Sequence, residues 1–311
     1  MAHRAAMLFL VTLLVAGIGA VHAAEDPCRT SIDAAVAAPR DGVAQVPFGR
    51  GLLWKIEGLG IAPAYLFGTI HLEDPRVVEL TPTVRQAFED AGSFVTEVVM
   101  HPAAQAAYAQ GMGLPEGRSL RQYLTPALFQ QFVRILEEEY GVPAAVAETL
   151  KPWAAFTLLS RPAPVTGRVL DELLDAEAVR LGKSVDGLES VDELMAVLDS
   201  VSQDDQIAIL ADAICNHDEL SEQLEELTKL YLREDLAGML ALNATPHQDE
   251  ALFERFMERT LYQRNRRMAR RIRDRLGDGG VFIAVGALHL PGEQGILRLL
   301  ESRGYRISRV H

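Results

Sequence analysis

Two short stretches near opposite ends of the chain share one layout, and they constrain the fold more than any other feature. Tyr65 to Pro75 reads YLFGTIHLEDP, and Val281 to Gly292 reads VFIAVGALHLPG. Each runs through apolar, strand-forming residues to Gly-x-x-His, then to Leu and a turn or helix start. A Gly-x-x-His match alone says little. With 24 Gly and 8 His in 311 residues chance supplies about one, and Gly19-Ala20-Val21-His22 is such an accident. Context separates the other two, because the carboxyl ends of strands in open α/β sheets form the crevice where ligands bind. Gly68 and Gly286, three residues before each histidine, let the backbone leave the strand with unusual dihedrals or let a second chain or ligand approach closely. One strand-end histidine is explained well enough as a hydrogen-bonded structural residue. Two with the same local grammar form a weak internal repeat and predict neighbouring strands that bring His71 and His289 to one site.

Chemistry needs a third member, and Glu97 in SFVTEVV is the nearest candidate. An acid within an apolar strand must be paired, hydrogen-bonded or metal-bound, since burying a lone carboxylate costs several kcal/mol. Two neutral imidazoles and a carboxylate suit a divalent transition metal that activates water, whether Mn, Co or Zn. The same residues without metal suit a general base and a proton shuttle. Glu189 in DGLES follows another strand candidate and is an alternative ligand. LYQRNRRMARRIRDR carries seven arginines from Arg264 to Arg275; as a group they read as a solvated helix face, with Arg264 and Asn265 best placed to reach the crevice and hold a substrate carboxylate or carbonyl. Asp171 and Glu172 read as acids complementing a helix N-terminal dipole.

The remaining chain bounds these readings. Residues 1–23, with one arginine, an apolar run and the ending Val21-His22-Ala23, read as a cleavable secretory signal too short for a membrane span. A soluble, periplasmic mature protein is the expectation. Losing that segment leaves 29 basic against 43 acidic side chains, a formal −14, which argues against a nucleic-acid partner. Cys28 and Cys215 are two cysteines far apart in sequence, able to pair in an oxidising compartment or to remain two small hydrophobes. Residues 24–50 read as a loose segment and 51–311 as a single domain, with α/β strands at both ends and a helical insertion over about 101–276. The expected fold is therefore α/β (α+β): a central mixed sheet with flanking helices. There is no G-x-S-x-G elbow, H-E-x-x-H, P-loop or paired C-x-x-C.

At YLFGTIHL, FVTEVV, GRVLDELLDAEA, GKSVDGLES, QRNRRMA and FIAVGALHLPGEQGILRLLESRGYRI the sequence resembles the TraB/GumN (TraB/PrgY) family, to which the Tiki proteases are related. The resemblance runs from about Leu52 to Val310. It implies a fold related to erythromycin esterase and ChaN-like proteins, and divalent-metal-dependent proteolysis at a site holding Gly68, His71, Glu97, Gly286 and His289. Arg264 and Asn265 match a family helix motif that usually carries an acid where this chain has Gln263. The leading expectation is thus an exported, metal-dependent, peptidase-like hydrolase acting on a peptide or small hydrolysable substrate. Its rivals are a non-catalytic protein that binds a peptide or polysaccharide-pathway component in the same crevice, and a metal-independent Glu/His hydrolase.

Overall fold

The structure is a computed structural model that describes residues 28, 46–163, 168–243, 249–277 and 280–310. The secretory-signal reading of residues 1–23, and most of the loose segment 24–50, lie outside the described residues. Six strands form one mixed sheet: β1 Leu53–Glu57, β2 Ala64–Thr69, β3 Ser93–Val98, β4 Ser184–Glu189, β5 Val281–Gly286 and β6 Arg306–Arg309, in the spatial order β4-β3-β5-β2-β1-β6. β2, β3 and β4 reach their parallel partners through helical crossovers, as parallel pairing requires. β1 is antiparallel to both β2 and β6, and joins β2 through a tight connection. Five strands therefore run one way and β1 alone runs against them.

The two glycine-histidine strands are direct neighbours. β2 and β5 pair in parallel, with Gly68 opposite Val285 and Thr69 opposite Gly286. β5 ends at Gly286, and Ala287–His289 form a 3-10 turn, so His289 sits three residues beyond its strand. The middle of the chain is not wholly helical: KSVDGLES supplies β4, which completes the sheet at its β3 edge. Among the described residues no helix is long and apolar enough to cross a membrane.

Alternation along the strands sorts the side chains onto two faces. On one face Phe94 and Phe282 pack against Phe88 of the helix Pro82–Asp90, with ring centroids 5.4 and 5.2 Å away, and Phe67 packs on Phe282 at 5.9 Å. The helix Leu170–Arg180 covers β3 and β4 on this side. On the opposite face, which Glu97 shares with Val95, lies the arginine helix Gln263–Leu276, packed against the helix Ile296–Glu301. A second apolar cluster, built by helices of the middle region around Trp153, Phe156 and Phe132, begins at Val98 of β3. Cys28 and Cys215 are bonded beside it, with Cα atoms 5.1 Å apart.

Gly68 is required by packing and not by its dihedrals. A Cβ there would lie 3.1 Å from the Ala287 Cα and 2.8 Å from the Leu290 side chain, because the chain leaving β5 crosses directly over β2. Gly286 has an ordinary extended backbone, φ −53° and ψ 136°. Gly68→Ala must push the 3-10 turn away from the sheet and should lower stability by about 1–3 kcal/mol. A urea melt reads this directly, and an unchanged midpoint would show that the turn yields freely.

Candidate functional site

Because β2, β3, β4 and β5 all run in parallel, their carboxyl ends form one rim. His71 lies two residues past β2, Glu97 is the penultimate residue of β3, Glu189 is the last of β4, and His289 closes the turn after β5. All four are buried, between 3 and 8 % exposed. Arg264 and Asn265, in the first turn of the arginine helix, are buried beside them at 2 and 1 %. A five-residue π-helical turn, Glu258–Tyr262, precedes that helix and sets the rotation with which Arg264 and Asn265 enter the sheet rim.

The charges form an alternating ladder. The Arg264 guanidinium donates to Glu97 Oε2 at 2.6 Å and, through Nε, to Glu189 Oε2 at 2.7 Å. The other Glu189 oxygen accepts from Arg267 Nε at 2.8 Å, and the other Glu97 oxygen accepts from the Gly286 N–H at 2.5 Å. Burial opposes ionisation of Glu97, but His289, Arg264, His71 and the Gly286 N–H outweigh it and hold the carboxyl at about 2. Arg271 and Arg275 extend the pairing to Glu193 and Asp186. The arginine stripe is therefore not a free solvated face: along its inner side it follows the acids of β4 and the helix after it.

Each imidazole is held through Nδ1. His289 Nδ1 lies 2.5 Å from Asn265 Oδ1, and the Asn265 amide nitrogen donates to the Gln294 carbonyl at 2.9 Å. His289 Nε2 lies 3.6 Å from Glu97 Oε1 and 3.5 Å from Arg264 Nη1. Burial pushes His289 down to about 4, against the upward pull of Glu97 and together with the repulsion of Arg264, so the ring is neutral at pH 7. His71 Nδ1 lies 2.5 Å from Asp171 Oδ2, and Thr69 donates its hydroxyl to Asp171 Oδ1 at 2.7 Å.

Asp171 is the residue that sequence reasoning misplaced. It does stand in the first turn of its helix, but it is only 2 % exposed and serves His71 and Thr69, so a dipole role does not account for it. The missed signal was periodicity: Asp171, Leu174 and Ala178 share one buried stripe, which puts an acid on an apolar helix face. Thr69 was likewise read only as a strand residue.

The donor set matches the expected metal site only in part. Imidazoles whose Nδ1 faces an oxygen acceptor are oriented as metal-binding imidazoles are. Both oxygens of Glu97, however, are engaged by Arg264 and Gly286. Among the described residues no group of three or more His, Cys, Asp or Glu is placed to hold a metal ion. The three-ligand set of His71, His289 and Glu97 is thus not assembled in this arrangement. The cavity beside Arg264 and His289, enclosed by Asn243, Met257, Thr260, Leu261 and Leu288, is about 10 Å³, room for roughly one water. A cleft of about 750 Å³ lies between the end of β4 and the helix Pro102–Gly111, and of the site residues only Glu189 borders it.

The chain belongs to the TraB/PrgY/gumN family, whose profile matches residues 52–309. It is similar to the metalloprotease TIKI2 of Xenopus tropicalis, 27 % identical over an alignment covering 80 % of this chain and 58 % of that protein. It is also similar to the human metalloprotease TIKI1, 25 % identical over 84 % of this chain and 62 % of that protein. The metalloprotease TIKI homolog of Nematostella vectensis is 24 % identical, covering 84 and 67 %. The chain thus spans about three fifths of the length of the first of these curated relatives. No solved structure matches it.

Burial of a neutral His289 sets a pH dependence whose sign follows from linkage. The unfolded ring titrates near 6.5 and the folded one near 4, so below about 6.5 the unfolded chain takes up a proton that the folded chain refuses. Folding should lose about 1.4 kcal/mol per pH unit from this group as pH falls toward 4. Urea midpoints at pH 7 and pH 5 measure the slope. His289→Gln should flatten it, and equal slopes in variant and wild type would contradict the assignment.

Proposed function

We propose that this member of the TraB/PrgY/gumN family is an exported, peptidase-like hydrolase, periplasmic once its signal is removed, acting at the rim where His71, Glu97, Arg264 and His289 meet. The observation that carries the reading is the burial of two imidazoles at one strand-end rim, each anchored at Nδ1 by an oxygen from a different helix, with His289 also beside the Arg264 guanidinium. Structural packing alone has no need of so many ionisable groups at one strand-end rim, whereas hydrolysis uses them.

Each side chain has a role that its surroundings support. Without a metal, His71, backed by Asp171, is the group to take a proton from attacking water, because the carboxylate stabilises the imidazolium that forms. Glu97, held ionised at about 2, is a weak base at neutral pH. It serves instead to hold Arg264 and the Gly286 N–H in place. Arg264 Nη1, 3.5 Å from His289 Nε2, is the donor to meet negative charge developing on a substrate oxygen. His289, neutral and fixed by Asn265, presents Nε2 next to it.

The relatives' name implies a metal. His71 and His289 are the side chains that would meet a divalent ion such as Mn²⁺, Co²⁺ or Zn²⁺, and Glu97 would have to release Arg264 to join them. A metal in such a site polarises the scissile carbonyl and acidifies water. The water-sized cavity means that a peptide enters only when the rim opens, and the turn Ala287–His289 and the π-helical turn are two of the elements that border it. A second reading, ligand capture without turnover, draws support from the 750 Å³ cleft, which is the larger space yet reaches the site only at Glu189.

Incubating the mature protein with a mixed peptide library, with and without Mn²⁺, Co²⁺, Zn²⁺ or a chelator, separates these readings by mass spectrometry. Hydrolysis predicts new peptide ends, lost by at least about 100-fold in His71→Ala and His289→Ala while the fold persists. Capture predicts a stoichiometric complex and no product. Full hydrolysis in both single variants would overturn the site, and hydrolysis unaffected by chelation, with no metal found by elemental analysis, would remove the metal from it.

A further inference from the structure

We propose that Asp171 is a positioning residue for His71: its carboxylate keeps the imidazole proton on Nδ1 and leaves the Nε2 lone pair as the reactive end of the ring. Both Asp171 oxygens are engaged, and both by the same strand extension. Thr69 donates to Oδ1 at 2.7 Å and His71 Nδ1 meets Oδ2 at 2.5 Å, two residues apart on the same face of β2 and its continuation. With the hydroxyl holding one oxygen, the carboxylate cannot rotate, and the other oxygen is presented to the ring. With Oδ1 accepting from Thr69 and Oδ2 facing the ring as an acceptor, the proton lies on the facing ring nitrogen. The helix that brings Asp171 is itself fixed by Leu170, Leu174 and Ala178 in the sheet core, which makes the carboxylate a rigid post and not a mobile partner.

The second histidine reaches the same state by a different device. At His289 the partner is a neutral amide, and an amide could present either oxygen or nitrogen. The Gln294 carbonyl settles this by accepting from the Asn265 nitrogen at 2.9 Å, which turns Oδ1 toward His289 Nδ1. Its proton is therefore also on Nδ1 and its lone pair on Nε2. Two devices from opposite faces of the sheet that enforce the same tautomer point to a need for two unprotonated Nε2 atoms. The position of Thr69 is taken by Ala287 in the second Gly-x-x-His, where no carboxylate has to be braced.

The role deepens the hydrolase reading and rests on it for the consequence in turnover, whereas the tautomer itself does not depend on any activity. The test uses the full chain labelled with ¹⁵N at histidine, with long-range ¹H–¹⁵N correlation spectra at neutral pH and the His71 signal assigned through His71→Gln. Wild type should show His71 protonated at Nδ1. Asp171→Asn should turn its amide nitrogen toward the ring and move the proton to Nε2. In the peptide-library assay the same variant should lose about 10–100-fold in kcat with KM little changed. His71 protonated at Nε2 in wild type overturns the proposal, and that spectrum decides even where Asp171→Asn fails to fold. An unmoved tautomer in a folded Asp171→Asn also overturns it. Failure of the hydrolase reading looks different: no product from wild type, with the Nδ1 proton and its reversal intact.

Discussion

Arg264 is a cation buried away from bulk solvent, and the architecture of the rim follows from neutralising it. A buried guanidinium without partners would cost several kcal/mol, and removing one partner of such a set strands the remaining charges. Two carboxylates from two adjacent strands, Glu97 of β3 and Glu189 of β4, meet it, and Arg267 balances the second. Glu97 then uses its other oxygen to accept from Gly286, the last residue of β5. One ion ladder thus registers β3, β4, β5 and the arginine helix against each other at the end of the sheet where the histidines lie.

The sheet divides the labour between its faces. His71 is braced from one side, through Asp171 on a helix that packs against β3 and β4. His289, Glu97, Arg264 and Asn265 are braced from the other, by the arginine helix and the Gln294 carbonyl. Only at the carboxyl ends of parallel strands do side chains from both faces turn inward to one place, which is why sites in α/β sheets collect there. The close crossing of Ala287 over Gly68 is the packing consequence of bringing the two strand ends together.

Much of this was legible in the chain itself. The apolar runs ending in Gly-x-x-His predicted two strands and their adjacency, and the acid inside FVTEVV had to be partnered. Arg264 and Asn265 were singled out of seven arginines and their neighbours, and both are buried at the rim. What escaped was the identity of the partners. Glu97 reads from sequence as a ligand or base, yet a neighbour 167 positions away occupies it. Asp171 reads as a helix-start acid because its dipole role is local, whereas its contacts with Thr69 and His71 are not.

Local chemistry therefore decided where strands run, where they stop and which side chains stand at their ends, because periodicity, glycine and burial cost act over a few residues. Only the tertiary structure decided which oxygen faces which nitrogen. Residues 71 and 171, 97 and 264, and 265 and 289 meet through crossovers whose lengths carry no record of the hydrogen bonds they close, and at a buried rim those bonds set charge, tautomer and therefore chemistry.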